Sequence, residues 1–143
     1  MEYTGITEWK GLKLRERNKV QDINIDEIRV YTINGTALSG PHNIEDTSYY
    51  KCLCGDITSY DNYFDMCHPF GTEKVKHIMD SKEFLELADN FNYLEGNHKE
   101  DYIGVKRMND GYETLDGEHR LAILKKQGKE TVKALVLDKR WMS

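Results

Sequence analysis

The fold is decided by residues 112–124, which read Tyr-Glu-Thr-Leu-Asp-Gly-Glu-His-Arg-Leu-Ala-Ile-Leu. Tyr112 to Leu115 mix aromatic, β-branched and aliphatic side chains, which is typical of a strand. Asp116-Gly117 predicts a tight turn. Glu118 to Gln127 are nearly all good helix formers, and Gly128 follows them where a left-handed C-terminal cap belongs. With strand-like residues again at Thr131 to Leu137, the sequence predicts strand, turn, helix and strand.

The predicted turn combines a helix start with charged side chains. A helix N-terminus exposes unpaired backbone N–H groups and the positive end of the helix dipole, which attract an anion. Arg120 adds a fork of donors suited to phosphate oxygens, His119 is a further donor, and Gly117 lets an anion approach the backbone closely. Asp116 and Glu118 fit this picture if the anion arrives with Mg²⁺, which binds carboxylate and phosphate oxygens together. One interpretation is therefore a phosphate–metal site.

The same residues also fit a capped helix start without a ligand. In this interpretation Asp116 is the N-cap, Glu118 favours the helix dipole, and His119 and Arg120 are solvated. The five residues alone leave both interpretations open.

The motif resembles the signature of the ParB/sulfiredoxin-like superfamily. The matching residues are Gly111-Tyr112, Asp116-Gly117-Glu118-His119-Arg120-Leu121-Ala122, Gly128, Val132 and Val136, and the resemblance extends from about Thr72 to Asp138. The corresponding turn reads Gly-Glu-Arg-Arg in ParB partition proteins, where it binds the triphosphate and Mg²⁺ of CTP. It reads Gly-Cys-His-Arg in sulfiredoxins, where it binds ATP phosphates. The ParB-like free serine kinases have Asp-Gly-His-His-Arg, and the motif of this chain is closest to theirs.

The resemblance implies an α+β fold in which a small mixed β-sheet is flanked by helices. At 143 residues the chain is expected to be a single domain, 1–143, with 72–138 as its most family-like part. Ile25 to Ile33 is predicted as the first strand, ended by the turn signal Asn34-Gly35. Residues 1–24 are predicted to form a polar, basic N-terminal arm.

Residues 46–70 are predicted to be a helical insertion after the first strand. Two helices are expected within it, at about Tyr49–Cys54 and Tyr60–Cys67, and their aromatic side chains favour core packing. A further helix is predicted from Gly71-Thr72 onward, and another from Ser81 to near Asn90. Phe91 to Asp101 is predicted to be a polar connection, followed by a strand at Tyr102 to Arg107.

Composition limits the partners. The formal net charge is −5, with acidic and basic residues mixed, which argues against nucleic acid as the main partner. Nothing resembles the helix-turn-helix domain that follows this fold in partition proteins. There is no signal-peptide pattern and no apolar run long enough to cross a bilayer, so no membrane partner is expected. Three cysteines in an otherwise ordinary composition fit a reducing compartment, and the expected location is cytoplasmic.

Cys52, Cys54, Cys67 and His68 raise the question of a zinc site. Structural zinc sites use paired, turn-forming spacings, whereas Cys-x-Cys on a helix directs its two sulfurs to different faces. Buried or free thiols are therefore expected. Glu118 occupies the position of the sulfiredoxin nucleophile, so sulfinic acid reductase activity is not expected.

The resemblance also nominates residues outside the turn. Lys74 matches a sulfiredoxin lysine that contacts ATP, and Thr72 supports it, so both are candidate phosphate ligands. Ser39-Gly40-Pro41-His42 takes the place of a segment that forms one wall of the nucleotide pocket in the superfamily. His42 and Asp46 are therefore candidate substrate contacts, with an ordinary surface turn as the alternative.

The first functional hypothesis is an ATP- or CTP-dependent kinase that phosphorylates a hydroxyl of a small metabolite, amino acid or sugar. Phosphoryl transfer needs a metal, cations around the phosphates and a base near the acceptor hydroxyl. The expected roles are Glu118 for Mg²⁺, Asp116 as second metal contact or base, His119, Arg120, Lys74 and Gly117 for phosphates, His42 and Asp46 for the acceptor, and Glu45 as a counterpart of the catalytic glutamate of the free serine kinases.

The second hypothesis is a nucleotide-binding switch module of the CTP-binding ParB type, which closes on a partner and hydrolyses slowly or not at all. A ParB-like nuclease is a third, and the acidic net charge argues against it. The sequence does not specify the acceptor, the preferred base or the oligomeric state.

Overall fold

The computed structural model describes residues 2–3, 8–9, 12–13, 19–34, 37–67, 79–95 and 101–137. Within these residues the chain forms nine β-strands and four α-helices, and the protein is therefore mixed α+β. The strands are β1 (Glu2–Tyr3), β2 (Glu8–Trp9), β3 (Leu12–Lys13), β4 (Lys19–Asn24), β5 (Ile28–Asn34), β6 (Ala37–Asn43), β7 (Ile103–Met108), β8 (Gly111–Asp116) and β9 (Thr131–Leu137). The helices are α1 (Ser48–Leu53), α2 (Ile57–Cys67), α3 (Ser81–Asp89) and α4 (Glu118–Lys126), with short 3₁₀ turns at Ile25–Glu27 and Ile44–Asp46.

Seven of the described strands form one mixed sheet in the order β1-β4-β9-β7-β8-β5-β6. The pairs β7–β9 and β5–β8 are parallel, and the other neighbours are antiparallel. At one edge β1 contributes only two residues, so six longer strands make up most of the sheet. The expected mixed sheet with flanking helices is confirmed. The specific ParB/sulfiredoxin-like fold stays a prediction.

The N-terminal segment departs from the expected arm. Lys19–Asn24, which lie inside the range 1–24, pair with β9 along their whole length, and Val20 and Ile23 are buried. Ile25 is not the start of a strand: it begins a 3₁₀ turn capped by the side chain of Asn24, and β5 begins only at Ile28. Two apolar residues in a polar hexapeptide are a weak strand signal, and pairing with β9 decides the outcome.

The predicted loop Ser39–His42 is also part of a strand. It lies in β6, the outer strand of the sheet next to β5, where Pro41 removes no hydrogen bond from a central ladder. The Gly40–Pro41 peptide is cis. The register between β5 and β6 shifts between Val30 and Thr32, and such irregularities redirect side chains at sheet edges.

The helices expected within residues 46–70 are confirmed as α1 and α2, although residues 68–70 lie outside the described part. Their aromatic side chains pack in the core as predicted, with Tyr49 and Tyr60 buried. Asp80 caps α3, because its side chain and that of Glu83 form a reciprocal capping box. The helix predicted from Gly71-Thr72 onward begins outside the described residues.

Helix α4 is enclosed by the rest of the protein. Four consecutive residues, Leu121 to Leu124, are all buried. Since neighbouring helical residues point about 100° apart, such a run covers the whole circumference of a helix. Gly128 has φ +84° just beyond the helix, which confirms the predicted C-terminal cap. This burial fixes the middle of α4 in the core.

Candidate functional site

The turn between β8 and α4 depends on Gly117. Its φ is +112°, a left-handed conformation that favours glycine, and it is the N-cap residue of α4. A Cβ at this position would lie 2.8 Å from Cγ1 of Ile103 on the neighbouring strand β7. Asp116 is the last residue of β8 and not the N-cap, which differs from the ligand-free interpretation of the sequence. A glycine N-cap offers no side chain to the first N–H groups of the helix.

Arg120 projects from the first turn of α4 and binds two aspartates. Its Nη2 donates to Oδ2 of Asp116 at 3.0 Å, and its Nη1 donates to the backbone oxygen of Asp101 at 2.6 Å. Nη1 also lies 3.5 Å from Oδ2 of Asp101, and the side chain is 16% exposed. Arg120 therefore ties α4 to the end of β8 and to the segment entering β7. A phosphate at the turn would share this guanidinium with two carboxylates.

Glu118 lies beside Asp116 at the helix start. Burial raises the pKa of the Glu118 carboxyl, and the Asp116 charge raises it further, while the backbone N–H groups of Glu118 and Gly117 oppose the shift. The carboxyl is thus close to the N–H groups that would otherwise attract an external anion. It is also close enough to Asp116 for the two charges to interact.

The two carboxylates fit a Mg²⁺ ion that keeps part of its shell of water and phosphate oxygens. Such an ion needs only one or two protein carboxylates, and a cation between Asp116 and Glu118 would relieve their repulsion. No group of three or more His, Cys, Asp or Glu arranged to hold a metal occurs among the described residues. A site built from protein ligands alone therefore does not fit the described part of the chain.

His119 is directed into the aromatic core. Its ring centroid lies 4.3 Å from that of Tyr49 and 5.1 Å from that of Phe84. Its Nε2 lies 3.1 Å from the hydroxyl of Tyr60, and that hydroxyl donates to the backbone oxygen of Met79 at 2.7 Å. Because the single hydroxyl proton is used on Met79, Nε2 of His119 must donate to Tyr60. Burial lowers the pKa of His119 to about 4, so the ring is neutral at pH 7 and adds no positive charge to the turn.

The candidate acceptor residues line a cleft of their own. His42 and Asp46 do come together, in a polar cleft of about 230 Å³ that Ser39, Ser48, Ser59 and Tyr63 also line. Nε2 of His42 lies 2.9 Å from the hydroxyl oxygen of Ser39. None of the residues Asp116 to Arg120 lines this cleft. The structure groups His42 and Asp46 with each other, and their cleft includes Tyr63, whose ring centroid lies 6.4 Å from that of His119.

Glu45 is separated from the turn. Its carboxylate lies 2.9 Å from Nζ of Lys125, which also binds Asp26. Lys125 follows Glu118 along α4 by a distance of about 10 Å, at roughly 1.5 Å of rise per residue. Glu45 therefore lies near the opposite end of α4.

The remaining candidates are less informative. Lys74 and Thr72 lie outside the described residues, as do His68 and the side chain of Cys67. Cys52 is buried and Cys54 is exposed, and both are free thiols.

A cleft beside Arg120 was not expected from the sequence. It has a volume of about 540 Å³ and continues from the end of α3 to Asp101. Phe91 to Asp101 was predicted to be a polar connection, yet Phe91, Tyr93 and Leu94 line this cavity together with Leu87. Phe91, Tyr93 and Leu94 are three large, mainly apolar residues within four positions, and this local pattern is the sequence signal that indicates an apolar surface here.

Comparisons with known proteins do not assign the chain to a family. No protein-family model matches the chain, and no curated protein matches it. In the described part of the chain, no helix has both the length and the apolar character needed to span a bilayer.

Proposed function

We propose that the chain binds a Mg²⁺–nucleoside triphosphate at residues 116–120 and transfers a phosphoryl group to a hydroxyl of a small metabolite, amino acid or sugar. The observation that carries this proposal is the left-handed Gly117 between β8 and α4, with Arg120 on the first turn of the helix. Together they combine a helix N-terminus with a guanidinium, two groups that bind phosphate readily, and a bound phosphate would have to share the first N–H groups with the Glu118 carboxyl. The resemblance to the free serine kinases supports phosphoryl transfer.

Each residue at the turn has a distinct task in this proposal. Arg120 binds phosphate oxygens, and the first N–H groups of α4 add neutral donors. Asp116 and Glu118 would hold Mg²⁺, which neutralises charge on the phosphates. If Glu118 alone held the ion, Asp116 would be the base that takes the proton of the acceptor hydroxyl.

The position of His119 modifies the expected set of ligands. A neutral ring whose Nε2 is bonded to Tyr60 supports the turn from the core side. In the proposal, His119 therefore positions the first turn of α4 and leaves the phosphates to Arg120 and the backbone.

One observation favours the alternative of a nucleotide-binding switch with slow or absent hydrolysis. His42 and Asp46 line a cleft that none of the residues 116–120 lines, and Glu45 pairs with Lys125 near the other end of α4. A site with nucleotide-binding groups and no adjacent acceptor site would bind and release nucleotide without transferring phosphate.

Calorimetry with Mg²⁺ and ATP, CTP or GTP tests nucleotide binding at residues 116–120, which both the kinase and the switch require. Arg120→Ala should weaken nucleotide binding at least tenfold, in line with roughly 1.5–3 kcal/mol for a hydrogen bond to a charged group. Arg107→Ala is the matched control, because Arg107 lies over the ring of Tyr112 at 5.5 Å and is exposed. Thermal unfolding of both variants shows whether folding is retained. Equal affinities for the two variants, or no binding by the wild type, would contradict the proposal.

Asp116→Asn separates the kinase from the switch. For a kinase, ADP release in the presence of hydroxylated metabolites should fall by on the order of 10²–10³, the usual cost of removing a charged group that acts in the transition state. For a switch, the wild type itself should release ADP only at the slow rate seen without any acceptor.

A further inference from the structure

The cleft beside Arg120 has room for a ligand of nucleoside size. Its volume is about 540 Å³, compared with about 260, 220 and 230 Å³ for three other cavities of the described residues. Small-molecule sites usually measure about 300–1,000 Å³. By size, the cleft beside Arg120 is the one of these four that suits such a ligand.

The walls of this cleft are apolar and partly rigid. The hydroxyl of Tyr93 donates to the backbone oxygen of Lys133 at 2.5 Å and accepts from the backbone nitrogen of Ile103 at 2.8 Å. These two bonds fix the Tyr93 ring between β9 and β7. The Phe91 ring lies beside it, with centroids 6.5 Å apart and planes inclined by 28°. Leu87, 39% exposed, adds an aliphatic surface from α3.

Leu94 adds a second kind of observation. Its φ is +60°, and it is the one residue other than glycine with a positive φ among those described. Left-handed backbone costs an ordinary residue about 1–2 kcal/mol, and such outliers concentrate at ligand-binding segments. In this chain the outlier lies in the segment that lines the cleft.

Arg120 connects the cleft to the turn. Its side chain lines the cleft, and its Nη2 binds Asp116 at the end of β8. A ligand with a planar apolar group in the cleft and an anionic tail at the start of α4 would therefore pass directly over this guanidinium. Asn90, Asn92 and Asp101 place polar groups along the same cavity for the edges of such a ligand.

We propose that this cleft binds the base and ribose of the nucleotide whose phosphates lie at residues 116–120, an inference that rests on the proposed function. Phe91, Tyr93 and Leu87 provide stacking and apolar contact, which every nucleobase accepts through its ring face. Because contact area determines the strength of such packing, purine nucleotides bind more tightly than pyrimidine nucleotides. The acceptor then approaches the turn from outside the cleft.

The experiment compares ATP with inorganic tripolyphosphate, both with Mg²⁺, by calorimetry. Tripolyphosphate carries the anionic tail without the base. The wild type should bind ATP at least tenfold more tightly, since stacking on aromatic side chains accounts for about 1–3 kcal/mol per base. Phe91→Ala and Leu87→Ala should weaken ATP binding severalfold to tenfold and leave tripolyphosphate binding unchanged.

Leu115→Ala is the matched control for Leu87→Ala. Leu115 is 40% exposed, close to the 39% of Leu87, and does not line the cleft. Thermal unfolding of each variant establishes that a loss of ATP binding is not a loss of folding.

The outcomes separate this inference from the proposed function. If tripolyphosphate binds as tightly as ATP, or if Leu87→Ala and Leu115→Ala behave alike, the base does not occupy the cleft and the phosphate site stands. If neither compound binds, the proposed function fails and the inference fails with it. If ATP binds, tripolyphosphate does not, and Phe91→Ala has no effect, the nucleotide occupies another site and both proposals are overturned.

Discussion

The Nε2 atom of His119 lies 3.1 Å from the hydroxyl oxygen of Tyr60, inside a cluster of aromatic rings. This contact places a titratable group from the candidate site in the core. Folding therefore depends on the protonation of His119, because a charged imidazole loses solvation there.

The first prediction concerns pH. Burial lowers the pKa of His119 from 6.5 to about 4, so the unfolded chain binds more protons than the folded chain between these values. The contribution of neutral His119 to the free energy of unfolding is therefore fully present above pH 6.5 and is lost as the pH drops toward 4. The total loss is on the order of 3 kcal/mol at most. Urea unfolding from pH 7.5 to 4.5 measures this slope.

His119→Phe, which keeps an aromatic ring and removes the titration, should flatten that slope. His42→Gln is the control and should retain it, because His119 is still present. A slope that persists in His119→Phe would mean that other groups cause it.

The second prediction concerns Gly117. Gly117→Ala should destabilise the protein by more than the roughly 1–2 kcal/mol of the left-handed backbone, because the new Cβ would lie 2.8 Å from Ile103. Gly55→Ala is a matched control, since Gly55 has φ +108° and nothing within 4 Å of the added Cβ. Denaturant unfolding of both variants isolates the contact with Ile103. Equal losses would show that the strand does not restrict this position.

The third prediction compares two buried threonines. The Thr114 hydroxyl has no hydrogen-bond partner among the described residues, whereas that of Thr47 donates to the Ile44 oxygen at 2.6 Å and accepts from the Tyr50 nitrogen. Thr114→Val should be neutral or stabilise by up to about 1 kcal/mol, because it removes an unsatisfied buried hydroxyl. Thr47→Val should cost about 1–3 kcal/mol. Thermal unfolding measures both, and a clear loss in Thr114→Val would reveal a partner for that hydroxyl.

The fourth prediction concerns Glu45. Its carboxylate pairs with Lys125 and lies away from Asp116. Glu45→Gln should therefore change Mg²⁺–ATP affinity by no more than about twofold and stability by about 0–1 kcal/mol, as for an exposed ion pair. Asp26→Asn, which alters the other partner of Lys125, is the control. If Glu45→Gln alone lowers affinity or turnover tenfold with folding intact, Glu45 does act at the turn, as the resemblance implies.

Local patterns predicted the end of the chain well. Strand β8, the turn at Gly117, helix α4, the cap at Gly128 and strand β9 all follow from residue preferences over short distances. Local patterns did not predict the strands whose own residues favour a strand only weakly and that form by pairing with a neighbouring strand. Lys19–Asn24 become a strand because β9 offers a complete partner, and Ser39–His42 become part of an edge strand because β5 does.

In the candidate site too, some features follow from local residue preferences and others from contacts between distant segments. Residue preferences alone predict that an acidic pair, a glycine and an arginine meet at the start of a helix, because strand, turn and helix propensities act within a few residues. Residue preferences do not predict that His119 turns into the aromatic core, that Arg120 is held by Asp101 from a distant segment, or that Glu45 lies near the other end of α4. Those placements depend on which surfaces α4 buries, and burial is set by contacts between residues far apart in the chain.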